Sequence, residues 1–126
     1  MPIIYGEKAK YEIPESYDQT TRLKIVFNGD DIAWGYYTNE YFHLQINSLI
    51  MRYDDIKPRI QKLRNEWLAS KIVDEQSEIW QDLYFYNPSI AGELILGRTC
   101  DGYVDWKNDE GVKLGHLLWP DMIEYF

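Results

Sequence analysis

The sequence is poor in cysteine, in long apolar runs and in basic residues. Its one cysteine, Cys100, excludes an internal disulfide framework and a zinc site built from several thiolates. No apolar run approaches the roughly 18 residues of a membrane-spanning helix, so we expect no membrane association. The N-terminal residues lack the basic start and long apolar region of a secretion signal, which leads us to expect a cytoplasmic protein.

Basic residues are outnumbered by acidic ones, 13 against 21, which gives a net charge of −8. Proteins bind duplex DNA nonspecifically by displacing counterions with Lys and Arg side chains, so this charge disfavours a nucleic-acid ligand except at a local patch. An acidic surface is better suited to docking on a basic protein, such as a nuclease or an effector. We therefore expect a protein partner.

Recognisable catalytic motifs are also missing, since the sequence has no phosphate-binding loop, glycine-rich dinucleotide fingerprint or nucleophile elbow. The two histidines, His43 and His116, lack a spacing that would let them share a metal ion. The acidic pairs at residues 30–31, 54–55 and 109–110 fall at predicted turns and caps, and Cys100 has no paired base. We expect a non-enzyme with no cofactor and no metal site.

Aromatic residues, in contrast, are abundant at 16% of the chain, with 11 tyrosines and 5 tryptophans. Their side chains combine a large apolar area with a polar group, which suits both half-buried sheets and binding surfaces. In a strand, Trp34 and Tyr36 lie on one face and Tyr37 on the other, so the three cannot all be buried on the same side. Trp34 and Tyr36 are therefore candidate binding residues.

The front half of the chain predicts an antiparallel meander. The β-rich residues 23–37 are interrupted by Asn28-Gly29, a pair that tolerates the positive φ angles of a tight hairpin turn. After a turn at residues 38–40, residues 41–46 form a third strand. A short strand is also expected at residues 3–5 and another, aromatic one at residues 83–86.

Apolar residues then recur at helical spacing over residues 56–68, which predicts an amphipathic helix. Asp54 or Asp55 can cap its start, and Pro58 is tolerated within its first turn. The helix carries the only basic face in the chain, which is either a solvated exterior or a contact surface. Five residues form that face: Lys57, Arg59, Lys62, Arg64 and Lys71.

Residues 87–118 are dense in caps and turns. Asn87 caps a helix with Pro88 at its first position, and Gly97 provides a left-handed stop. Asp101-Gly102 predicts a hairpin-type turn that leads into a strand at residues 103–107, a turn at residues 108–111 and a short final helix or turn. These elements predict an α+β fold, a mainly antiparallel sheet with two principal helices on one face. The expected divisions are an N-terminal arm (1–22), a single α+β domain (23–118) and a docked C-terminal tail (119–126).

The same region carries a family resemblance. Its segments Pro88-Ser89, Leu96-Gly97-Arg98, Gly102, Asp105-Trp106-Lys107 and Gly111 with Leu114 resemble the hallmark of a small domain of unknown function. That domain usually lies at the C-terminus of GIY-YIG nucleases or beside the adenine methylases of restriction systems. The pattern is also similar to restriction-and-adenine-methylase-associated domains, which are thought to read modified DNA. The resemblance implies a setting in nucleic-acid defence or restriction.

Four residues of this region are not explained by folding alone: Arg98, Asp101, Trp106 and Lys107. An Arg, a Trp and a Lys close together can engage a phosphate, an acidic side chain or a flat base. The alternative is that Trp106 fills the core and Arg98 binds helix carbonyls. Asp101 stands where the similar domains have Asn, and its negative charge favours a protein partner over DNA.

Three functions follow as hypotheses. The leading one is a non-catalytic interaction module of nucleic-acid defence or restriction systems that acts through protein contacts. The second is a stand-alone acidic anti-defence inhibitor, or DNA mimic, that blocks a basic nuclease or effector surface. The third is a reader of modified or single-stranded nucleic acid that uses Arg98, Trp106 and Lys107.

Overall fold

A five-stranded sheet lies at the centre of the computed structural model, which describes residues 3–51 and 57–125. The strand order is β1-β5-β4-β3-β2, and every neighbouring pair is antiparallel except β1 with β5. The strands are β1 (Ile4–Tyr5), β2 (Leu23–Phe27), β3 (Asp30–Tyr37), β4 (Phe42–Leu44) and β5 (Leu83–Phe85).

The hairpin predicted over residues 23–37 is confirmed. Asn28 and Gly29 both have positive φ angles, 52° and 85°, which a turn matching the right-handed twist of the two strands requires. The third strand is shorter than predicted and ends at Leu44. Beyond it, Ile46 donates its backbone N–H to the Asp82 carboxylate at 2.8 Å, and Asn47 turns the chain with a φ of 74°.

In the part of the chain that the structure describes, two long helices and two short ones accompany the sheet, and the predicted α+β class is confirmed. They are α1 (Pro58–Ala69), α2 (Pro88–Leu96), α3 (Gly102–Asp105) and α4 (Leu114–Leu118), followed by a 3-10 segment (Pro120–Tyr125). Pro58 occupies the first turn of α1 as predicted, whereas Lys57 stands at the cap position and contributes no side-chain cap bond. The predicted caps Asp54 and Asp55 lie outside the described residues.

Helix α2 begins and ends as predicted. The Asn87 side chain accepts a hydrogen bond from Ile90 N at 3.0 Å, which satisfies one of the N–H groups left free in the first turn. Gly97 ends the helix in the left-handed region, with a φ of 72°, and donates its N–H to Glu93 O at 2.8 Å.

The strand predicted at residues 103–107 and the hairpin turn predicted at Asp101-Gly102 are both wrong. Residues 102–105 form the single helical turn α3, and the Asp101 carboxylate caps it by accepting from Tyr103 N at 3.0 Å. Gly102 N donates to Ser89 Oγ at 2.9 Å, so this turn is packed on the start of α2. That tertiary contact overrides the alternating pattern of the sequence. The turn predicted at residues 108–111 is confirmed, with Gly111 N bonded to Asn108 O at 3.0 Å.

The helices pack against one face of the sheet. On that face, Trp67 of α1 meets Phe85 with ring centroids 6.2 Å apart, and Trp106, at the end of α3, meets Phe42 at 4.5 Å. The enclosed side chains form one continuous core. Among the described residues, no helix is both long enough and apolar enough to cross a membrane.

The residues before β2 take part in this core. β1 lies parallel to β5 at the edge of the sheet, and Tyr86 N donates to Tyr5 O at 2.9 Å. Tyr17 is buried, with 6% of its surface exposed. After α4, Trp119 is half-buried and its ring contacts Tyr11 and Tyr103.

Candidate binding surface

Trp106 belongs to the core. Its ring is completely enclosed, and its indole N–H donates to Pro88 O at 3.0 Å. A side chain held this way between α2 and the sheet cannot contact a partner unless the core opens. The structure therefore does not bring Trp106, Arg98 and Lys107 together at one surface.

The other three predicted residues of this region have separate local roles. Arg98 is exposed, donates to Thr99 O at 3.0 Å and lies 3.9 Å from the Asp105 carboxylate. The Lys107 backbone pairs with that of Lys24, donating to Lys24 O at 3.0 Å. Asp101 caps α3, a role that Asn performs equally well. The cap gives Asp101 a structural role, so the residue by itself is no evidence for one class of partner.

Cys100 is placed as a structural residue. Its thiol is buried, and burial together with the nearby Asp105 raises its pKa, so it carries little of the thiolate that a nucleophile needs. Among the residues that the structure describes, no group of three His, Cys, Asp or Glu side chains could hold a metal ion.

The basic face of α1 is largely used to hold α2. Arg64 donates through Nε and Nη2 to Leu94 O, at 3.0 and 2.6 Å, and burial lowers its pKa to about 10. Lys57 and Arg59 lie 2.9 and 3.5 Å from the two carboxylate oxygens of the buried Glu93. Three of the five basic side chains thus stabilise the packing of the two long helices.

The face of the sheet that is turned away from the helices carries a row of rings. Tyr36, His43 and Tyr84 are paired in register across β3, β4 and β5, and each is half-buried. The Tyr36 and His43 centroids lie 6.3 Å apart, and the His43 and Tyr84 rings stack at 4.9 Å with an interplanar angle of 25°. With Trp34, two positions from Tyr36 along β3, these rings form what we call the aromatic face.

Charged side chains surround the aromatic face and are balanced in sign. The Arg22 guanidinium lies 5.5 Å from the centroid of the Trp34 ring, close enough for a cation–π contact. Lys24 pairs with Asp31 at 3.3 Å. His43 Nε2 lies 3.3 Å from the Asp82 carboxylate, which the Ile46 backbone holds in place.

Trp34 and Tyr36, two of the predicted binding residues, lie on this face, whereas His43 and Tyr84 were not predicted. The sequence indicates them locally, because residues 42–44 and 83–85 alternate along a strand. Each of these short strands has one ring at its centre between two buried residues. Their meeting depends on strand pairing over long separations, which the local pattern does not contain. A partly exposed set of rings can bind an aliphatic or aromatic protein surface, or stack with bases.

Comparison with known proteins gives one family. The model of the family described as Domain of unknown function (DUF4357) matches residues 25–118, about three quarters of the chain. No curated protein and no solved structure matches the chain.

Proposed function

The chain belongs to the DUF4357 family, and we propose that it is a non-catalytic interaction module that binds a protein partner through its aromatic face. A setting in nucleic-acid defence or restriction systems is part of the proposal, and the resemblance of the Pro88–Leu114 region to domains of such systems supports it. The observation that carries the proposal is the row formed by Tyr36, His43 and Tyr84 on a sheet face that no described helix covers.

The residue types on this face support a protein partner. Trp, Tyr and Arg are the side chains most often found to dominate binding energy at protein interfaces, where they lie at the centre of the contact. Here the rings are fixed by one another and by the sheet, with Tyr41 against Tyr84 at 4.7 Å. Little conformational freedom is left to lose on binding, which favours affinity.

The net charge of −8 supports a basic partner. Arg22 and Lys24 balance Asp31 and Asp82 around the rings, so these four side chains add no net charge to the aromatic face. An apolar contact at the aromatic face with a positively charged partner surface around it satisfies both features.

The proposal is tested by site-specific photo-crosslinking in the native cell. A photoreactive phenylalanine analogue at Tyr84 is expected to capture one discrete partner, and the same analogue at Phe27, an exposed ring at the end of β2, serves as the control. The captured partner is then purified, and its affinity for Tyr84→Ala and Tyr36→Ala is measured by calorimetry. We expect at least tenfold weaker binding, because truncated hot-spot residues cost about 2 kcal/mol or more. Equal capture at Tyr84 and Phe27, or unchanged affinity, would count against the proposal.

Single-stranded nucleic acid is a second candidate for the same face. The cation–π contact of Arg22 with Trp34, beside a row of rings, favours it, because single strands bind by stacking bases on aromatic side chains close to cations. Fluorescence anisotropy with labelled oligothymidine and with an adenine-methylated duplex at low salt tests it. Binding that weakens with salt and with Tyr84→Ala supports this candidate, and no binding to either probe rejects it.

The net charge favours one version of the protein-binding proposal, in which the chain inhibits a basic nuclease. The exposed pair Asp109 and Glu110 offers a variant that leaves the aromatic face intact. Reversing both charges to Lys is expected to weaken inhibition of a nuclease encoded beside this chain. Unchanged inhibition, or none by the unaltered chain, would exclude this version, whereas the crosslinking result decides the general proposal.

A further inference from the structure

A separate cleft of about 400 Å³ lies between the N-terminal segment and the turn that joins β3 to β4. Four tyrosines line it: Tyr11, Tyr37, Tyr41 and Tyr86. Tyr37 is buried, Tyr41 and Tyr86 are half-buried, and Tyr11 is exposed. A volume of this size is typical of sites for small ligands or for a single side chain of a partner.

The walls of the cleft are tied together before any ligand binds. Thr38 N donates to Tyr41 O at 3.0 Å, which closes the β3–β4 turn. Asn39 N donates to Gln19 Oε1 at 3.1 Å and so joins that turn to the N-terminal segment. On the opposite side, Tyr86 N is bonded to Tyr5 O. Because these elements are fixed, the rings have little freedom to lose on binding.

The electrostatic character of the cleft favours a cation. Glu12 and Glu40 line it, and Lys8 is the one basic residue among the described residues that line it, so the lining side chains themselves carry an excess of one negative charge. The face of a neutral tyrosine ring is also negative, because of the quadrupole of its π system. Burial raises the pKa of Tyr37, so that ring stays neutral across the physiological range.

The chain already places an ammonium group over one of these rings. Lys10 Nζ lies 5.8 Å from the centroid of Tyr11, within the range of a cation–π contact, although Lys10 itself does not line the cleft. We propose that the cleft binds an alkylammonium group, of the quaternary ammonium class, between the rings of Tyr11, Tyr41 and Tyr86 and the carboxylates of Glu12 and Glu40. An anion would be repelled by the carboxylates, and a neutral ligand would gain only hydrogen bonds from them, without the attraction between opposite charges. This inference does not rest on the function proposed for the aromatic face.

The test compares choline with 3,3-dimethylbutanol, its uncharged equivalent of the same shape, by NMR titration of the full chain at constant ionic strength. If the cleft recognises charge, choline shifts the amide signals of Thr38, Asn39 and Tyr86 saturably, with a Kd at least about tenfold lower than that of the alcohol. Equal affinity for the two compounds, or no shift with choline, would overturn the proposal.

Matched variants locate the site. Tyr86→Leu keeps apolar bulk but removes the ring, so we expect choline to bind about fivefold more weakly, whereas Tyr86→Phe should bind almost normally. Tyr36→Leu, on the aromatic face, should leave choline binding unchanged. The exposed Glu40→Gln removes charge with little risk to folding and should narrow the difference between choline and the alcohol. Retention of full affinity in both Tyr86→Leu and Glu40→Gln would place choline elsewhere and refute the proposal.

Discussion

At the scale of single residues, two tryptophans show that the surroundings of a side chain determine its role. Trp106 is completely enclosed, and its indole N–H is bonded inside the core. Trp80 is 56% exposed, yet its indole N–H is also held, by the Asp74 carboxylate at 2.7 Å. Trp80 is thus held in one orientation at the surface, whereas Trp106 is part of the core.

Asp101 provides the first prediction. Its carboxylate caps α3 by accepting from Tyr103 N, so Asp101→Ala should lower the free energy of unfolding by about 1 kcal/mol. Asp101→Asn should leave it nearly unchanged, because Asn caps as well as Asp. Urea denaturation of the three proteins measures both differences. Equal losses in the two variants would show that charge, rather than capping, is what Asp101 contributes.

Tyr17 predicts how stability depends on pH. Its hydroxyl is buried and bonds to none of the described residues, and burial raises its pKa to about 12. An unfolded tyrosine ionises near pH 10. The unfolded chain therefore releases this proton first, so the stability tied to Tyr17 is complete below about pH 10 and is lost as the pH rises towards about 12.

Tyr17→Phe should consequently make the decline of the urea midpoint between about pH 10 and pH 12 shallower, while Tyr37 and Cys100, whose pKa values are also raised by burial, keep part of it. At neutral pH its stability should match or exceed that of the unaltered chain, because it removes a buried hydroxyl that bonds to none of the described residues. Tyr36→Phe, at a half-buried ring on the open face, is the control and should keep the decline. A variant as sensitive to alkali as the unaltered chain would contradict the assignment.

At the scale of elements, the starts of α2 and α3 approach each other closely. A side chain at Gly102 would lie against the backbone of Pro88 and Ser89, which cannot yield as a flexible side chain could. Glycine is thus required at position 102 because two backbone segments approach each other closely there. At position 97 it is required because the backbone has a positive φ angle.

The two glycines should respond differently to substitution. Gly97→Ala is expected to cost about 1 kcal/mol, and Gly97→Asn less, because Asn tolerates the left-handed region better. Gly102→Ala is expected to cost several kcal/mol, since it forces α3 away from α2 and breaks the bond from Gly102 N to Ser89 Oγ. Urea midpoints in the order Gly97→Asn, Gly97→Ala, Gly102→Ala, from most to least stable, would confirm both roles, and a reversed order would reject them.

Elements that are defined by neighbouring residues could be predicted from the sequence, and those defined by distant contacts could not. The turn at Asn28-Gly29 and the limits of α2 at Asn87 and Gly97 depend on local φ angles and caps, and all were predicted correctly. α3 depends on Ser89, 13 positions earlier, so its alternating sequence was wrongly assigned to a strand. The aromatic face was half predicted: the predicted meander brings β4 and His43 beside Tyr36, but Tyr84 comes from β5, which pairs with β4 across 41 positions (84 minus 43).

At the scale of the whole molecule, the N-terminal segment completes the sheet. It contributes β1 along β5, and Asn87 Nδ2 donates to Glu7 O at 2.8 Å, so the segment also meets the start of α2. Tyr5 packs against Trp67 with ring centroids 5.6 Å apart. The folded unit therefore extends beyond residues 25–118, which match the family.

Removal of residues 1–21 tests that conclusion. The shortened chain loses β1, Tyr5 and the buried Tyr17, and leaves the edge of β5 unpaired. We expect a lower unfolding midpoint and a tendency to aggregate, measured by thermal denaturation and light scattering. A chain shortened only by residues 1–2, which precede β1, is the control. Equal midpoints for the two shortened chains would show that the segment is dispensable.

The pairing of β1 with β5 also sets an order of events during synthesis. Ile4 pairs with Tyr84, so the partners are 80 positions apart (84 minus 4) and their meeting carries a large loop-closure cost. β1 is thus the strand of this sheet that waits longest for its partner during synthesis. Until residue 85 emerges, β1 and the edge of β4 both lack their partner β5 and can pair with other chains. We expect the protein to need a chaperone most during this interval.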